Sequence, residues 1–248
     1  MTTPFRFAFA STLALALAAC GGGDEATSGE APSGEPIAAI PAPEGQSWVE
    51  VASETDEGGV VIGNPDAPLK LVEYASHTCG ACANFSANGV PPLEADYVST
   101  GIVSYEIRNL VRDPLDLTIA TLARCGSPEG FHPLANQAWA NLGQFFETAQ
   151  ANGGAIEAAT QAPIEQRFVG IAEAAGLLDF FAARGISRDQ ARECLADPDA
   201  AQAILDRSQE QAEAMEITAT PTFFLNGTRL DANQWDGIEP ALQRAGAR

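Results

Sequence analysis

Two cysteines three positions apart, Cys79 and Cys82, stand where a short apolar segment gives way to a helical one. Upstream, residues 69–74 are rich in aliphatic and aromatic side chains and follow two prolines, which predicts a central strand. Downstream, Phe85 and Leu93 recur at helical spacing. A strand that enters a helix at this pair places Cys79 in the first helical turn, where unpaired N–H groups and the helix dipole favour a thiolate. The segment predicts a redox site in which Cys82 closes a disulfide with Cys79 or attacks a mixed disulfide formed on it.

A pair of this spacing can also be half of a zinc site or a structural staple. A zinc site needs about four ligands, whereas this chain has two histidines and five cysteines. The remaining cysteines, Cys20, Cys125 and Cys194, form no second pair of the same spacing, so no metal site is expected. A bridge across three residues removes little loop entropy, which disfavours a purely structural role.

The N-terminal residues 1–19 have the organisation of a secretion signal. Arg6 supplies a positive charge, residues 7–17 are apolar, and Leu-Ala-Ala before Cys20 resembles a bacterial lipobox. About a dozen apolar residues are too few for a membrane span, which needs roughly 20. An ordinary cleaved signal is the other alternative. We expect Cys20 to become the lipidated first residue of the mature protein and to hold it at a membrane outside the cytoplasm.

Residues 20–46 consist mainly of Gly, Ser, Ala, Pro and Glu, which predicts a disordered tether. The whole chain carries a formal charge of -20. Removal of residues 1–19 takes away Arg6 and no acidic residue, so the mature form carries -21. This charge argues against binding of nucleic acid or anionic lipid by the domain itself.

Beyond the tether, the chain alternates predicted strands with a long helical block. Residues 48–51 and 60–62 are expected to form a hairpin or edge strands, and 103–107 a strand parallel to the central one. Between residues 115 and 215 we expect about five helices, because proline follows an N-cap residue at three places and a further capping sequence begins at Ser187. The expected last elements are a hairpin with a type I′ turn at Asn226-Gly227 and a helix over 235–245.

This order resembles the DsbA family of thiol:disulfide oxidoreductases, which has a thioredoxin fold with a helical insertion. The motifs that carry the resemblance are residues 63–68 leading into Glu73, the sequence Cys79-Gly80-Ala81-Cys82, and Thr220-Pro221 about 140 residues later. The resemblance implies an α/β fold with a thioredoxin-like mixed sheet and an all-helical insertion between βαβ and ββα halves. The predicted parts are 47–114 and 216–248 for the thioredoxin-like halves and 115–215 for the insertion.

The resemblance also implies roles for individual residues. Pro221 is expected in the cis form against the cysteine pair, and the Thr220 backbone is expected to bind an extended substrate. Glu73 occupies the position of the family's buried acid and is expected to accept the proton of Cys82, although an exposed strand residue is the alternative. His77 is a candidate for contact with Cys79 or substrate, with a solvated loop histidine as the alternative. The dipeptide Gly-Ala departs from the Pro-His of strongly oxidising members.

Cys125 and Cys194 both fall near the ends of predicted helices, and an oxidising compartment favours their pairing. The alternative is a pair of buried free thiols. The expected function is introduction of disulfides into cysteine-containing exported proteins by a periplasmic monomer that needs no cofactor and is reoxidised by a membrane quinone-linked partner. The alternatives are an isomerase or reductase of the same fold and a non-catalytic lipoprotein that binds a partner.

Overall fold

A computed structural model describes residues 34–248. The predicted signal segment, the lipidation site Cys20 and residues 21–33 of the predicted tether lie outside the described residues. Within residues 34–248, no helix is both long and apolar enough to span a lipid bilayer.

One six-stranded mixed sheet, with strand order β1-β2-β4-β3-β5-β6, forms the centre of the fold. β3 and β4 run parallel, as predicted, and β5 lies antiparallel to β3 on its other side. β2 lies antiparallel to β4 and also pairs with the edge strand β1. The strands are β1 Ala52–Glu54, β2 Val60–Gly63, β3 Leu69–Ala75, β4 Val103–Asn109, β5 Thr222–Leu225 and β6 Thr228–Arg229.

The segment between β3 and β4 begins with α1, Gly80–Asn88, and continues through short turns. A single α-helical turn, α2 (Val90–Pro92), leads into a π-helical turn, Leu93–Tyr97, and a 3₁₀ turn, Val98–Thr100. Phe85 of α1 packs against Phe223 of β5, with ring centroids 4.6 Å apart. The buried face of α1 thus joins both halves of the thioredoxin-like part.

Eight helices lie between β4 and β5, where about five were predicted. Pro114, Pro128 and Pro198 stand at the first position of three of them, as the capping sequences predicted. The prediction undercounted the helices because several of them are separated only by single residues or short loops. These breaks carry no Ser-Pro or Asp-Pro sequence that would mark a new helix start. The helices are α3 Pro114–Ala123, α4 Pro128–Ala140, α5 Leu142–Ala151, α6 Gly153–Gln161, α7 Ile164–Ala174, α8 Leu177–Ala182, α9 Arg188–Leu195 and α10 Pro198–Ala214.

The chain ends with the predicted hairpin and the helix α11, Trp235–Arg244. Asn226 and Gly227 both have positive φ, 49° and 79°. A type I′ turn requires positive φ at both central residues. The backbone twist of this turn matches the right-handed twist of the strands β5 and β6 that it joins. Because β5 is antiparallel to β3, its first residue, Thr222, lies at the carboxyl end of β3 beside the cysteine pair, and the turn lies at the other end.

Two predictions on the N-terminal side are wrong. Residues 48–51 do not form a strand: Trp48–Glu50 is a 3₁₀ turn, because the indole of Trp48 donates to the carbonyl of Ile40 at 2.7 Å and the strand begins only at Ala52. Residues 34–46 are not a free tether. Ile37 donates its backbone N–H to Gly246, Ile40 donates to Thr100, and both isoleucines pack on the core.

Candidate functional site

Cys79 and Cys82 lie at the carboxyl end of β3, on the start of α1. Cys79 is the N-cap residue of α1, one position before the first turn in which it was predicted, and its sulfur accepts the backbone N–H of Cys82 at 3.3 Å. Cys82 is completely buried, whereas Gly80 and Ala81 between the cysteines are exposed. Both cysteines carry free thiols in this structure. Cys79 keeps 4% of its surface exposed and Cys82 none, so attack from outside is directed to Cys79.

The two thiols have opposite acidities. A hydrogen bond from the Cys82 side chain lowers the pKa of Cys79 to about 5, with further hydrogen bonds from the Thr220 side chain and from the N–H groups of Cys82 and Ala81, against the opposing effect of burial. Burial raises the pKa of Cys82 well above the ordinary range, and the hydrogen bond to Cys79 and the charge of Glu73 add to this. At neutral pH, Cys79 is a thiolate and Cys82 a thiol. This division suits a nucleophile and a protected resolving partner.

The loop before β5 lies against the nucleophile. The Thr220–Pro221 peptide bond is cis, as the resemblance implied. The Thr220 carbonyl oxygen is 3.2 Å from the sulfur of Cys79. The register Tyr74↔Thr222 brings this loop to the end of β3, although about 140 residues separate the two in the sequence. A backbone segment is therefore held directly beside the sulfur that a substrate must reach.

Glu73 lies on β3 beneath the cysteine pair, with only 1% of its surface exposed. The hydroxyl of Tyr105, on β4, donates to Oε2 of Glu73, while Oε1 has no hydrogen-bond partner among the described residues. Burial raises the pKa of Glu73 to about 8, although the Tyr105 hydrogen bond opposes this shift. The alternative of an ordinary exposed strand residue is thus wrong. A carboxyl group that titrates near neutral pH beside a buried thiol has the properties of a proton donor and acceptor.

The family model described as Thioredoxin matches residues 55–244. The chain belongs to the thioredoxin family.

Two solved structures and one curated protein are similar to this chain. A solved structure from Novosphingobium aromaticivorans, named a protein-disulfide isomerase, has 30% sequence identity and a TM-score of 0.68, and the match covers 73% of this chain and 94% of that chain. The structure of α-DsbA1 from Wolbachia pipientis shares the fold at 20% identity and a TM-score of 0.61, covering 75% and 89%. The Rickettsia conorii protein named "Putative protein-disulfide oxidoreductase" is 26% identical over 204 residues, or 79% of this chain. The chain spans 64% of the length of that curated relative. The predicted DsbA-type thioredoxin fold with a helical insertion is confirmed.

One expected site residue of this thioredoxin-family protein lies elsewhere than predicted. His77 has no exposed surface: its ring stacks on Trp139 with centroids 5.0 Å apart, and its backbone N–H donates to Asp116 of α3 at 2.7 Å. The assignment of His77 to substrate binding is wrong, and so is the alternative of a solvated loop histidine. Its ring is instead part of the contact between the active-site loop and the helical insertion.

Sequence reasoning missed the residues that support the cysteine pair. Thr78, directly before Cys79, donates its hydroxyl to Asp113, and this carboxylate also caps α3. The Gln234 side chain, at the start of α11, donates to the Ala81 carbonyl at 3.1 Å. Alternation along β4 could have placed Tyr105 on the same sheet face as Glu73. Nothing in the sequence pointed to Gln234, because its position depends on how α11 packs.

Outside the redox site, Cys125 and Cys194 form a disulfide, as the sequence analysis expected. Their Cα atoms are 5.9 Å apart, and the bond joins Cys125, two residues after the end of α3, to Cys194 of α9. No cluster of three or more His, Cys, Asp or Glu side chains suited to a metal ion occurs within residues 34–248.

We expect the variant Glu73→Gln to have a larger free energy of unfolding than the wild type at pH 8. Near pH 4.5 the two free energies of unfolding should become similar. The folded-state pKa of Glu73, about 8, lies above the ordinary 4.5. Between these values the native state binds more protons than the unfolded state, so wild-type stability falls as the pH rises. The gain at pH 8 is about 4 kcal/mol at most.

Urea unfolding of the oxidised proteins at pH 5, 7 and 8 measures this difference, with the exposed Glu50→Gln as the control. Parallel stability curves for Glu73→Gln and wild type would contradict a raised pKa. When Cys79 is bound to a substrate in a mixed disulfide, Glu73→Gln is also expected to slow the attack of Cys82 on that bond, because glutamine cannot accept the thiol proton.

Proposed function

We propose that this protein is a DsbA-type thiol:disulfide oxidoreductase that introduces disulfides into cysteine-containing proteins exported from the cytoplasm. The observation that carries the proposal is the pairing of an acidic Cys79, with a pKa of about 5, with a completely buried and protonated Cys82. The names of the matched relatives, which refer to protein-disulfide oxidoreductase and protein-disulfide isomerase, support the same chemistry.

The exchange begins when the thiolate of a substrate attacks Cys79 in the Cys79–Cys82 disulfide. A substrate–Cys79 bond forms, the bond between the two cysteines breaks, and Cys82 leaves as a thiolate. Glu73 supplies a proton to this buried sulfur, since its pKa of about 8 keeps it largely protonated at neutral pH. A second substrate thiolate then attacks the substrate sulfur of the mixed disulfide. The substrate gains a disulfide, and Cys79 is released as a stabilised thiolate.

The cis-Pro loop is the proposed site at which the substrate backbone docks. The Thr220 carbonyl stands 3.2 Å from the Cys79 sulfur and Thr220 is partly exposed, so an extended peptide can lie beside the nucleophile. Backbone recognition suits an enzyme that acts on many sequences, because it requires no particular substrate side chain. Reoxidation of the dithiol is assigned to a membrane quinone-linked partner, and the protein is proposed to act as a monomer in the periplasm.

The reduction potential tests the oxidase assignment. At pH 7, a Cys79 pKa of about 5 instead of the ordinary 9 stabilises the dithiol form by about 2.7 kcal/mol, or roughly 60 mV. Thioredoxin has a thiol pKa near 7 and a potential near -270 mV, so a more acidic Cys79 predicts a higher potential, between about -150 and -220 mV.

Equilibration with glutathione measures this potential. A value below about -270 mV would replace the oxidase with a reductase. The name of the Novosphingobium relative favours an isomerase as the second candidate. Thiol trapping in cells separates the two, because an oxidase is found with Cys79 and Cys82 oxidised and an isomerase with them reduced.

We further propose that Cys20 carries a lipid that holds the protein at a membrane. The support is the lipobox-like Leu-Ala-Ala-Cys sequence that ends the apolar segment 7–17. The variant Cys20→Ser is expected to move the protein from the membrane fraction to the soluble periplasmic fraction, with Ser28→Ala, a change in the predicted tether, as the control. Continued sedimentation of Cys20→Ser with membranes would refute the anchor.

A further inference from the structure

The groups that exchange protons beneath the cysteine pair have almost no contact with solvent. Cys82, Glu73 and Tyr105 each have at most 1% of their surface exposed. When Cys82 leaves the disulfide and takes a proton from Glu73, a charged carboxylate is left in the core. Because burial of this charge is costly, Glu73 must regain a proton before the next cycle. The proton has to cross from solvent through the protein.

A pocket of about 280 Å³ lies on the same side of the sheet as Glu73, away from the cysteines. It is lined by Glu94, His132 and Ile62, with the exposed Glu50 and Glu129 at its rim. Ile62 of β2 is the register partner of Tyr105 on β4, and opposite residues of paired strands point to the same face. The pocket therefore opens over the strand neighbour of Tyr105, whose hydroxyl donates to Glu73.

His132 shows that a polar ligand is expected in this pocket. The ring is 2% exposed and packs edge-on against Tyr105, with centroids 5.3 Å apart. Nε2 lies 2.8 Å from the Val60 carbonyl, which can only accept, so Nε2 carries the hydrogen. Nδ1 is then a buried acceptor with no partner among the described residues. The ring thus brings an unsatisfied polar atom next to the pocket and Tyr105, and a pocket of about 280 Å³ is large enough for several waters.

Glu94 is the half-buried carboxyl group of this pocket and projects from the π-helical turn Leu93–Tyr97. Burial raises its pKa, which brings it nearer to neutrality than an exposed glutamate. The charges of both Glu73 and Glu94 raise the pKa of Tyr105, behind the larger effect of burial. The hydroxyl of Tyr105 therefore lies within the electrostatic reach of both carboxyl groups, one in the core and one at the pocket.

We propose that this pocket is the solvent port of a proton route to Glu73, with Glu94 as the outer proton donor and acceptor and the Tyr105 hydroxyl as the inner link. Waters in the pocket connect Glu94 to Tyr105. During substrate oxidation the proton moves inward, from Glu94 through Tyr105 to Glu73, and bulk solvent reprotonates Glu94. During reoxidation the proton leaves by the same route. This inference rests on the proposed function.

The test is the single-turnover rate at which a cysteine-containing peptide reduces the oxidised protein. The variant Glu94→Ala is expected to react about tenfold more slowly than wild type. Formate is expected to restore its rate at constant ionic strength, because a small acid can enter the vacated pocket, and chloride is not. Tyr105→Phe should be equally slow without rescue by formate, since the inner link is then missing. Glu147→Ala, which removes an exposed carboxylate of α5, is the control and should match wild type.

The outcomes separate this route from the proposed function. The route is overturned if Glu94→Ala or Tyr105→Phe reacts at the wild-type rate. It is also overturned if Glu94→Ala is slow but formate does not accelerate it. Protons would then enter and leave past Cys79. A wild-type protein that the peptide does not reduce overturns the proposed function, and the route with it. Thermal unfolding checks that each variant folds. If Glu94→Ala does not fold, Glu94→Gln carries the test: a tenfold loss supports the route, and an unchanged rate overturns it.

Discussion

Cys79→Ser is expected to lose disulfide exchange by at least about a thousandfold, because a serine hydroxyl is not ionised at neutral pH and cannot form a disulfide. The structure directs the whole reaction to this sulfur. Cys82 is completely buried beneath it, and the pKa of Cys82 is raised well above the ordinary range. The thiolate fraction of Cys82 at neutral pH is therefore too small to replace Cys79 as the nucleophile.

Cys82→Ser is the informative companion variant. Its Cys79 remains a nucleophile, but no internal thiol can release a bound substrate, so mixed disulfides with substrate proteins should accumulate. Non-reducing electrophoresis and mass spectrometry of the adducts measure both effects. The assignment of roles would be contradicted if Cys79→Ser kept more than about a thousandth of the wild-type exchange rate. It would also be contradicted if Cys79→Ser, rather than Cys82→Ser, formed the adducts.

Removal of the Cys125–Cys194 disulfide is expected to lower the free energy of unfolding by about 4 kcal/mol on the chain-entropy model. The bond closes a loop across a sequence separation of 69 residues, and it ties α3 to α9 within the helical insertion. Loss of the bond raises the conformational entropy of the unfolded chain, while most packing contacts of the folded insertion remain. A loss of this size is a large share of the 5–15 kcal/mol by which a domain is typically stable.

Urea unfolding of the double variant Cys125→Ser, Cys194→Ser measures this loss against wild type, and Cys125→Ala, Cys194→Ala controls for buried hydroxyl groups. Peptide mapping under non-reducing conditions provides an independent check, since neither cysteine should be alkylated in the native protein. A change below about 1 kcal/mol would mean that the bond contributes little beyond the packing around it.

Local patterns in the sequence were sufficient for much of the fold. The apolar segment before Cys79 predicted the central strand, and the Asn226-Gly227 dipeptide predicted the turn of the hairpin, where both residues have positive φ. Asp113 and Asp197 marked helix starts, and both accept backbone N–H groups at the caps. These features depend on interactions over a few residues, which a sequence displays directly.

Burial of single polar residues is where sequence reasoning failed. His77, in a short loop of Ser, His and Thr, has the surroundings of an exposed residue, yet Trp139 and Asp116 of the insertion enclose it. The predicted tether failed for the same reason. Residues 34–46 have a disordered composition, but Ile37 and Ile40 pair with backbone groups near the C-terminus and near Thr100. The deciding partners lie from 39 to more than 200 positions away in the sequence, where no local pattern reveals them.

The sequence by itself identified the candidate nucleophile and its resolving partner from residue type and spacing, and the resemblance to the DsbA family pointed to the acid Glu73 and to the loop at Pro221. Only the tertiary structure decided the acidities. The pKa of Glu73 is raised because its side chain is buried on the covered face of the sheet, and that of Cys79 is lowered by hydrogen-bond donors from its own helix and from a loop about 140 residues away. A pKa depends on solvent exclusion and on the placement of dipoles in space, and both exist only once the chain has folded.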